Sequence, residues 1–263
     1  MGGKLRQWRD EFLLHNRLKL ISTTEKSKIF SFINSTKPLQ TEHDLIRLGG
    51  DSDGGYLIPN DLDGISGCFS PGVGYSASFE DDMASFGVNC FIADYSVDAL
   101  PISNQLFHFE KKFIGLKNDF MYMTLDDWVM RNTDDDQELI LQMDIEGGEY
   151  ESILFTSYSI LKKFRIICIE FHNLHLICEK SGFDLIHTTF QKLLKYFDVV
   201  HLHPNNNVGF VKYQGVIIPE VIEFTFIRKD RVKHRSSVLQ LPHPLDRKNN
   251  PDSADFVIPK YWY

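Results

Sequence analysis

The sequence predicts an α/β domain built on a doubly wound sheet that is mostly parallel, with an antiparallel last strand. Short apolar runs alternate with segments of helical spacing through the middle of the chain, which is the pattern of consecutive βα units. Glycines or acids follow several of these runs, as they do at the carboxyl ends of buried parallel strands. Residues 205–219, between the last two runs, show little helical pattern. Because a parallel crossover usually needs a helix, we expect the last two strands to be antiparallel.

The predicted elements follow one another in a regular order. Strands are expected at 67–70, 88–94, 108–114, 139–144, 165–172, 198–203 and 221–228, and helices at 24–33, 77–85 and 183–196. A further helix begins at Thr124, because a threonine with Asp127 three residues later resembles a capping box. The end of the chain is rich in proline, asparagine and charge, and we expect an irregular tail there.

Residues 1–45 are predicted to form a helical extension to the main domain, which covers residues 46–263. Over residues 4–20, Trp8 and Phe12 recur with other apolar residues at roughly helical spacing. We expect this helix to pack on its own domain or on a second subunit, so that the chain forms a homo-oligomer through it. Because the segment is also rich in basic residues, a helix that binds a membrane surface is the alternative to packing.

Composition and charge narrow the classes of function. The chain has 263 residues, is 43% hydrophobic and carries a formal net charge of -8. This acidic balance argues against a protein held to nucleic acid by phosphate contacts, so no nucleic-acid partner is expected. The cysteines, Cys68, Cys90, Cys168 and Cys178, form no CxxC pair, which indicates free thiols in a reducing compartment. Since neither a secretory signal nor an apolar run of about 20 residues is found, we expect a cytoplasmic protein without a membrane span.

Two glycines follow the first predicted sheet strand and indicate a ligand at a helix start. Gly72 and Gly74 let the backbone pass close to a bound group. Asp94 ends the next strand, 22 residues after Gly72, which suits an acid that binds a ribose hydroxyl. With Ala77 the turn also fits the dinucleotide pattern Gly-x-Gly-x-x-Ala. The turn therefore favours a ribose-bearing cofactor without choosing between NAD and S-adenosylmethionine, and a purely structural turn is the remaining alternative.

A glycine-rich segment, residues 47–57, precedes that strand. It has four glycines, which would suit a loop that folds over the cofactor. The dipeptide Asp53-Gly54 is also a strong hairpin signal, so a simple β-hairpin is equally open.

Acids and histidines follow the later strands. Asp144 ends the strand 139–144, and Glu170 and His172 share one face near the end of 165–172, because strand side chains alternate. His203 ends the next strand. Asp144, His172 and His203 would make a site of two histidines and one carboxylate for a divalent metal such as Fe(II), Mn(II) or Mg(II). Glu170 is the expected general base or a replacement ligand, and the alternative is that the histidines only form hydrogen bonds at a polar sheet edge.

Several segments together resemble the FkbM-type S-adenosylmethionine-dependent methyltransferases, over roughly residues 45–250. The most specific part is a Leu-Asp-Asp segment at 125–127, followed about twenty residues later by Asp-Ile-Glu-Gly-Gly-Glu at 144–149. Residues 242–246, Pro-His-Pro-Leu-Asp, are similar to the tail of bacterial sugar-modifying members. The other matching segments are 47–56, 72–80, 169–172 and 219–228.

The resemblance implies a class I methyltransferase fold, which is Rossmann-like and has a seven-stranded sheet with an antiparallel last strand. It also implies O-methylation of a sugar hydroxyl, on a nucleotide-sugar or on a surface or capsular polysaccharide precursor. The residues expected to contact S-adenosylmethionine are Asp53, Tyr56, Gly72, Gly74, Ser76, Glu80, Asp94 and Asp126, and those expected at the reaction are Asp144, Glu170 and His172. Many members have Phe-Glu-Pro where this chain has Ala93-Asp94-Tyr95, but an aspartate can still accept hydrogen bonds from ribose.

Two other functions remain open from the sequence. An NAD-dependent oxidoreductase of sugar metabolism is allowed by the glycine turn and Asp94. A non-catalytic module that binds nucleotide-sugars or another subunit is the second. The acids and histidines at the strand ends argue against such a module, because a binding module does not need groups of that kind there.

Overall fold

The computed structural model describes residues 13, 15 and 21–263 of the chain. Apart from those first two positions, the helix predicted over residues 4–20 and the subunit contact expected through it lie outside the described residues. Within the described part, no helix is both long enough and apolar enough to cross a membrane.

The structure alternates strands and helices in the predicted order. The strands are β1 (Leu39–Gln40), β2 (Leu45–Leu48), β3 (Tyr56–Pro59), β4 (Ile65–Pro71), β5 (Asn89–Ala93), β6 (Phe107–Glu110), β7 (Phe113–Ile114), β8 (Tyr122–Met123), β9 (Glu138–Met143), β10 (Phe164–Phe171), β11 (Phe197–Pro204), β12 (Phe210–Tyr213), β13 (Val216–Pro219), β14 (Ile222–Arg228) and β15 (Ser236–Ser237). The helices are α1 (Lys26–Ser35), α2 (Ser78–Ser85), α3 (Leu125–Asn132), α4 (Glu149–Phe155), α5 (Tyr158–Leu161) and α6 (Lys180–Leu194). Single 3-10 turns lie at Leu174–Cys178, Lys229–Arg231 and Lys260–Trp262.

A seven-stranded sheet forms the centre of the domain. Its strands lie in the order β11, β14, β10, β9, β4, β5, β6. The strands from β10 to β6 are parallel, whereas β14 runs antiparallel to both of its neighbours. The predicted fold class is therefore confirmed, including its antiparallel last strand. The sequence analysis did not predict the separate hairpin of β12 and β13, which lies within the segment that joins β11 to β14.

Burial on both faces explains why the central strands read as apolar runs. All eight residues of β10 are buried. Ile167 and Ile169 point into the larger core, which includes Trp128 of α3 and Phe190 of α6. Ile166 and Cys168 alternate with them and pack in a second core under the hairpin of β2 and β3.

Both ends of the described chain belong to this core. Phe32 of α1 packs edge-to-face on Phe190, with ring centroids 5.0 Å apart. α1, which falls within the extension predicted for residues 1–45, packs in the main core. Trp262, near the carboxyl terminus, is fully buried and donates from Nε1 to the Ile217 carbonyl at 3.1 Å. The irregular tail is thus fastened to β13.

Gly72 lets the ends of three central strands meet. It follows β4 with φ +91°, and a Cβ at this position would lie 1.5 Å from the carbonyl oxygen of Asp144. Its amide donates to the Ala93 carbonyl at 2.9 Å, while the Asp144 amide donates to the Pro71 carbonyl at 3.2 Å. Position 72 therefore requires glycine, both because of its positive φ and because no Cβ fits beside Asp144.

We predict that Gly72→Ala destabilises the fold far more than Gly87→Ala. Gly87 also has positive φ, +79°, but no heavy atom lies within 4 Å of its added Cβ, so this control costs only the left-handed strain of about 1–2 kcal/mol. The clash at Gly72 adds to that strain and should take the loss above about 4 kcal/mol. Urea unfolding of both variants measures the difference, and equal losses would contradict the steric account.

Candidate active site

A cavity of about 830 Å³ opens at the carboxyl ends of β4, β5 and β9. This is the point where the chain reverses its direction of travel across the sheet, and ligands of open α/β folds bind at such a point. The volume lies within the range of about 300–1,000 Å³ that is typical of small-molecule sites. Among the described residues that line the cavity there is no Lys or Arg. The acidic residues in the lining are Asp53, Glu80, Asp94, Asp144 and Glu146.

Most of the residues predicted to contact a cofactor lie around this cavity. Its lining includes Asp53, Tyr56, Gly72, Gly74, Ser76, Glu80 and Asp94. Asp126 does not line it, which corrects the prediction for that residue. The Asp126 carboxylate instead accepts from the Ser157 amide at 2.9 and 3.1 Å, and so satisfies a free amide at the start of α5.

Asp94 joins the glycine turn to the end of β5. Its Oδ2 accepts from the Gly74 amide at 2.9 Å, and its Oδ1 accepts from the Ser96 amide and hydroxyl, both at 2.7 Å. A carboxylate has about four acceptor positions, so these three bonds leave capacity for one ligand hydroxyl. Asp94 therefore has a structural function and can still bind a ligand.

The glycine-rich segment 47–57 combines the two structures left open by the sequence. It is a hairpin, because β2 and β3 pair antiparallel on either side of its turn. Arg47 holds that turn by donating to the carbonyls of Gly50 at 2.6 Å and Ser52 at 3.1 Å. Asp53 at its tip also lines the cavity, so the hairpin supplies one wall of the site.

Glu80 is a buried acid on α2 at the base of the cavity. The Ser70 hydroxyl donates to its carboxylate, and burial raises the pKa of Glu80 to about 7. Its second oxygen, Oε2, has no hydrogen-bond partner among the described residues. Glu80 can therefore be neutral or charged near neutral pH and can accept a hydrogen bond from a bound group.

The carboxylate of Glu149 organises the turn that follows β9. Its Oε1 accepts from the amides of Ile145 at 3.2 Å and Gly147 at 2.9 Å. The same oxygen lies 3.1 Å from Nδ1 of His172, just beyond the end of β10. One fully buried side chain thus fixes both the turn and the imidazole.

The other imidazole nitrogen of His172 faces two acids. Nε2 lies 3.3 Å from Oε2 of Glu146 and 3.9 Å from Oδ1 of Asp144. Burial alone would lower the pKa of His172, but the hydrogen bond and charge of Glu149, together with the charges of the two acids, raise it above the ordinary value. The sequence analysis expected Asp144 and His172 to converge but assigned no function to Glu146 or Glu149.

Glu170, the expected general base, lies behind Asp144 and not in the cavity lining. It is buried opposite Glu223 of β14 and accepts from Nδ2 of Asn205 at 2.6 Å. Burial, and then the Glu223 carboxylate, raise the pKa of Glu170 to about 8; burial, and then Glu170, raise that of Asp144 to about 9. Glu170 therefore acts on the charge of Asp144, and its burial argues against a direct part in proton removal.

His203 belongs to a different cluster from His172. β14 lies between β10 and β11, and two steps of about 4.8 Å across a sheet separate the two histidines. Nδ1 of His203 lies 3.7 Å from Oδ2 of Asp246, whose Oδ1 lies 2.9 Å from Nε2 of His201. Among the described residues, the group whose possible ligand atoms lie within 4.8 Å of one another is Asp144, Glu149 and His172. The predicted metal site with His203 is corrected accordingly.

The carboxyl-terminal tail reaches the cavity through Asn249. Its Nδ2 donates to Oε1 of Glu223 at 2.7 Å and to Oδ1 of Asp53 at 3.1 Å. The Asp53 amide donates back to the Asn249 carbonyl at 3.2 Å. The segment 242–246, which the sequence analysis noted only as a resemblance, contains the Asp246 that fastens this tail to β11.

Comparisons with known proteins find similarity in structure but not in sequence. No family model and no curated protein matches the chain. The crystal structure of 23S rRNA methyltransferase ErmE is similar with a TM-score of 0.37 and 8% identity, covering 79% of this chain and 70% of that one. A putative RNA methyltransferase, PH1948 from Pyrococcus horikoshii, is similar with a TM-score of 0.34 and 12% identity, covering 64% of this chain and 76% of that one.

The seven-stranded, mostly parallel sheet with its antiparallel β14 is that of a Rossmann-like α/β fold. The comparisons do not extend to the FkbM-type branch or to a sugar substrate. Both matched structures are named as RNA methyltransferases, which runs against the expectation of no nucleic-acid partner, and at these TM-scores they assign no substrate to this chain. That expectation rested on net charge, which says nothing about local patches. One such patch is a depression at the opposite edge of the sheet, lined by Lys162, Lys195, Tyr196, Arg228, Lys229 and Asp230.

We predict that Asp246→Asn destabilises the chain in a pH-dependent way. Burial would raise the pKa of Asp246, but His201 and His203 hold it well below the ordinary value. Burial would lower the pKa of His203, but Asp246 and Glu223 raise it. The contribution of Asp246 to the free energy of unfolding is therefore lost as pH falls below about 4. The contribution of His203 is lost as pH rises through the raised pKa of that residue.

The loss in Asp246→Asn should be greatest between about pH 4 and 6, on the order of 3 kcal/mol, because breaking a buried pair leaves a charge unpaired. Urea unfolding at pH 5, 7 and 9 measures it. Asp252→Asn, at an exposed position of the same tail, is the control and should change little. A loss that grows from pH 5 to pH 9 would contradict this assignment.

Proposed function

We propose that the chain is an S-adenosylmethionine-dependent O-methyltransferase that acts on a hydroxyl of a sugar. The observation that carries the proposal is the imidazole of His172, which is held by Glu149 from behind at the end of β10. Its free Nε2 lies beside acids that line a cofactor-sized cavity. A methyltransferase fold with such a group suits an acceptor that must lose a proton.

The cavity suits S-adenosylmethionine in shape and charge. A Cβ at Gly74 would meet no heavy atom within 4 Å, so the glycine turn leaves room for a ligand against its backbone. Asp94 has acceptor capacity for a ribose hydroxyl, and Phe113 and Tyr122 offer aromatic surface to a purine. The acidic lining is complementary to the sulfonium and ammonium groups of the cofactor.

S-adenosylmethionine, when bound, supplies a methyl carbon that bonds to the acceptor oxygen as its bond to sulfur breaks and the electron pair stays on sulfur. A sugar hydroxyl is a poor nucleophile near neutral pH, so its proton must be removed. His172 takes this proton at Nε2, while Glu149 keeps Nδ1 protonated and the ring in place.

A sugar is the acceptor that the lining favours. Carboxylates at Asp53, Asp144 and Glu146 can accept hydrogen bonds from several hydroxyl groups. Tyr75 lines the cavity and is 97% exposed, so its ring can pack on the apolar face of a sugar. The resemblance to FkbM-type enzymes agrees, and we propose a nucleotide-sugar or a polysaccharide precursor as the source of that sugar.

A divalent cation offers a second way to activate the hydroxyl. A cation that binds the oxygen lowers the pKa of the hydroxyl directly, and His172 would then be a ligand and not a base. Both chemistries use the same nitrogen, beside Asp144 and Glu146.

We predict that Asp94→Ala weakens binding of S-adenosylhomocysteine by roughly 10- to 150-fold, because a charge-assisted hydrogen bond of about 1.5–3 kcal/mol is lost. Calorimetric titration measures the affinity, and circular dichroism checks the fold. Asp98→Ala is the matched control, since Asp98 follows the same strand but is exposed and pairs with Lys111. Unchanged affinity in folded Asp94→Ala would remove Asp94 from the cofactor site. Binding of NADH in place of S-adenosylhomocysteine would favour the oxidoreductase.

We predict that His172→Ala lowers kcat by about 10²–10⁴-fold and leaves the affinity for S-adenosylhomocysteine unchanged. The assay is transfer of labelled methyl from S-adenosylmethionine to a panel of nucleotide-sugars, polysaccharides and RNA. Methylated sugar in the wild-type reaction is the expected product. Label found only in RNA would contradict the sugar acceptor, and undiminished turnover in His172→Ala would contradict the function given to the imidazole.

A further inference from the structure

We propose that Asp144, Glu146 and Nε2 of His172 form a binding site for one divalent cation, which Glu149 completes by holding the imidazole through Nδ1. This inference rests on the proposed function, because the cation would bind the acceptor hydroxyl. The site itself, however, can be measured without cofactor, acceptor or turnover.

The distances around His172 are those of ligands that share an ion. Ligand atoms at about 2.1 Å from a cation stand roughly 3.0–3.4 Å apart at octahedral or tetrahedral angles. Nε2 of His172 lies 3.3 Å from Oε2 of Glu146, which is already this spacing. Oδ1 of Asp144 lies 3.9 Å from Nε2, so a small movement of its carboxylate completes the set.

Glu149 lies on the other side of the ring and is an orienting group. Its Oε1 already accepts from two backbone amides and faces Nδ1, not Nε2. An imidazole that binds a metal commonly donates its second N–H to a carboxylate, which fixes the ring and its tautomer. Glu149 is therefore assigned to the outer shell although it lies within 4.8 Å of the ligand atoms of Asp144 and His172.

Two buried carboxyl oxygens in this cluster have room for a further partner, which a cation would supply. Oδ1 of Asp144 and Oε2 of Glu149 are buried and accept no hydrogen bond within the described part of the chain, and Glu149 is 0% exposed. Buried carboxylate oxygens are normally paired with donors or cations. The described cavity lining supplies no Lys or Arg to do this.

The donor set favours Mn²⁺. Two carboxylates and one imidazole are a mostly oxygen set, which suits manganese or magnesium better than the two-histidine set that favours iron. Three protein ligands leave open positions toward the cavity, where the acceptor oxygen would bind and lose its proton more easily.

Electron paramagnetic resonance of free Mn²⁺, titrated with the full chain in the absence of cofactor and acceptor, tests the site. We expect one Mn²⁺ per wild-type chain. His172→Ala should weaken binding by more than tenfold, and Glu149→Gln by about 10- to 100-fold, because an orienting partner is lost. Glu146→Gln should also weaken it, and this variant should fold because the Glu146 side chain is 85% exposed. Glu151→Gln, at an exposed position on α4, is the matched control and should bind as the wild type does.

Calorimetry with S-adenosylhomocysteine on the same samples separates this inference from the proposed function. Absence of Mn²⁺ binding with cofactor affinity intact would overturn the metal site and leave His172 as the base. Mn²⁺ binding that survives both Glu146→Gln and His172→Ala would also overturn the assignment. Mn²⁺ binding that is lost in both variants, in a chain that has no affinity for S-adenosylhomocysteine, would support the site and contradict the methyltransferase.

Discussion

The buried carboxylate of Glu149 is the interaction on which the rest of the site depends. It joins the turn after β9 to the imidazole after β10 through a single oxygen that faces three N–H groups. Burying a carboxylate is costly unless such bonds replace its hydration, and charge-assisted bonds are about twice as strong as neutral ones. The same bonds hold Glu146 in a left-handed conformation with φ 56°, which directs its side chain toward His172.

The sheet joins this turn to the cofactor side of the cavity. The Asp144 carbonyl lies against Gly72, so the turn after β9 and the glycine turn after β4 share one backbone contact. Asp94 holds the glycine turn, and Asn249 holds the tip of the β2–β3 hairpin from the tail. The cavity is thus walled by segments that are distant in the chain and are each held by a buried polar group. A substitution of any one of these groups should therefore shift the positions of the others around the cavity.

The parts of this arrangement that could be predicted are those set by local pattern. Apolar periodicity located the strands, and the shared edge of parallel strands brought Asp144 and His172 together correctly. The position of His203 could not be read in this way, because strand order is a tertiary property and β14 inserts between β10 and β11. Asp126 was assigned from a motif, whereas its partner, the Ser157 amide, becomes visible only when α5 is placed. Nothing in the spacing of Asp144, Glu146 and Glu149 tells which of them faces which nitrogen of the ring.

The central claim is that Glu149 fixes the tautomer of His172 and leaves Nε2 free for chemistry. Two-bond ¹H–¹⁵N correlation of the imidazole rings, at a pH where His172 is neutral, tests it most directly. We expect the proton of His172 on Nδ1 and an unprotonated Nε2, with exposed His234 as the reference for a ring without such a partner. A proton on Nε2 of His172, or the tautomer mixture of His234, would contradict the account.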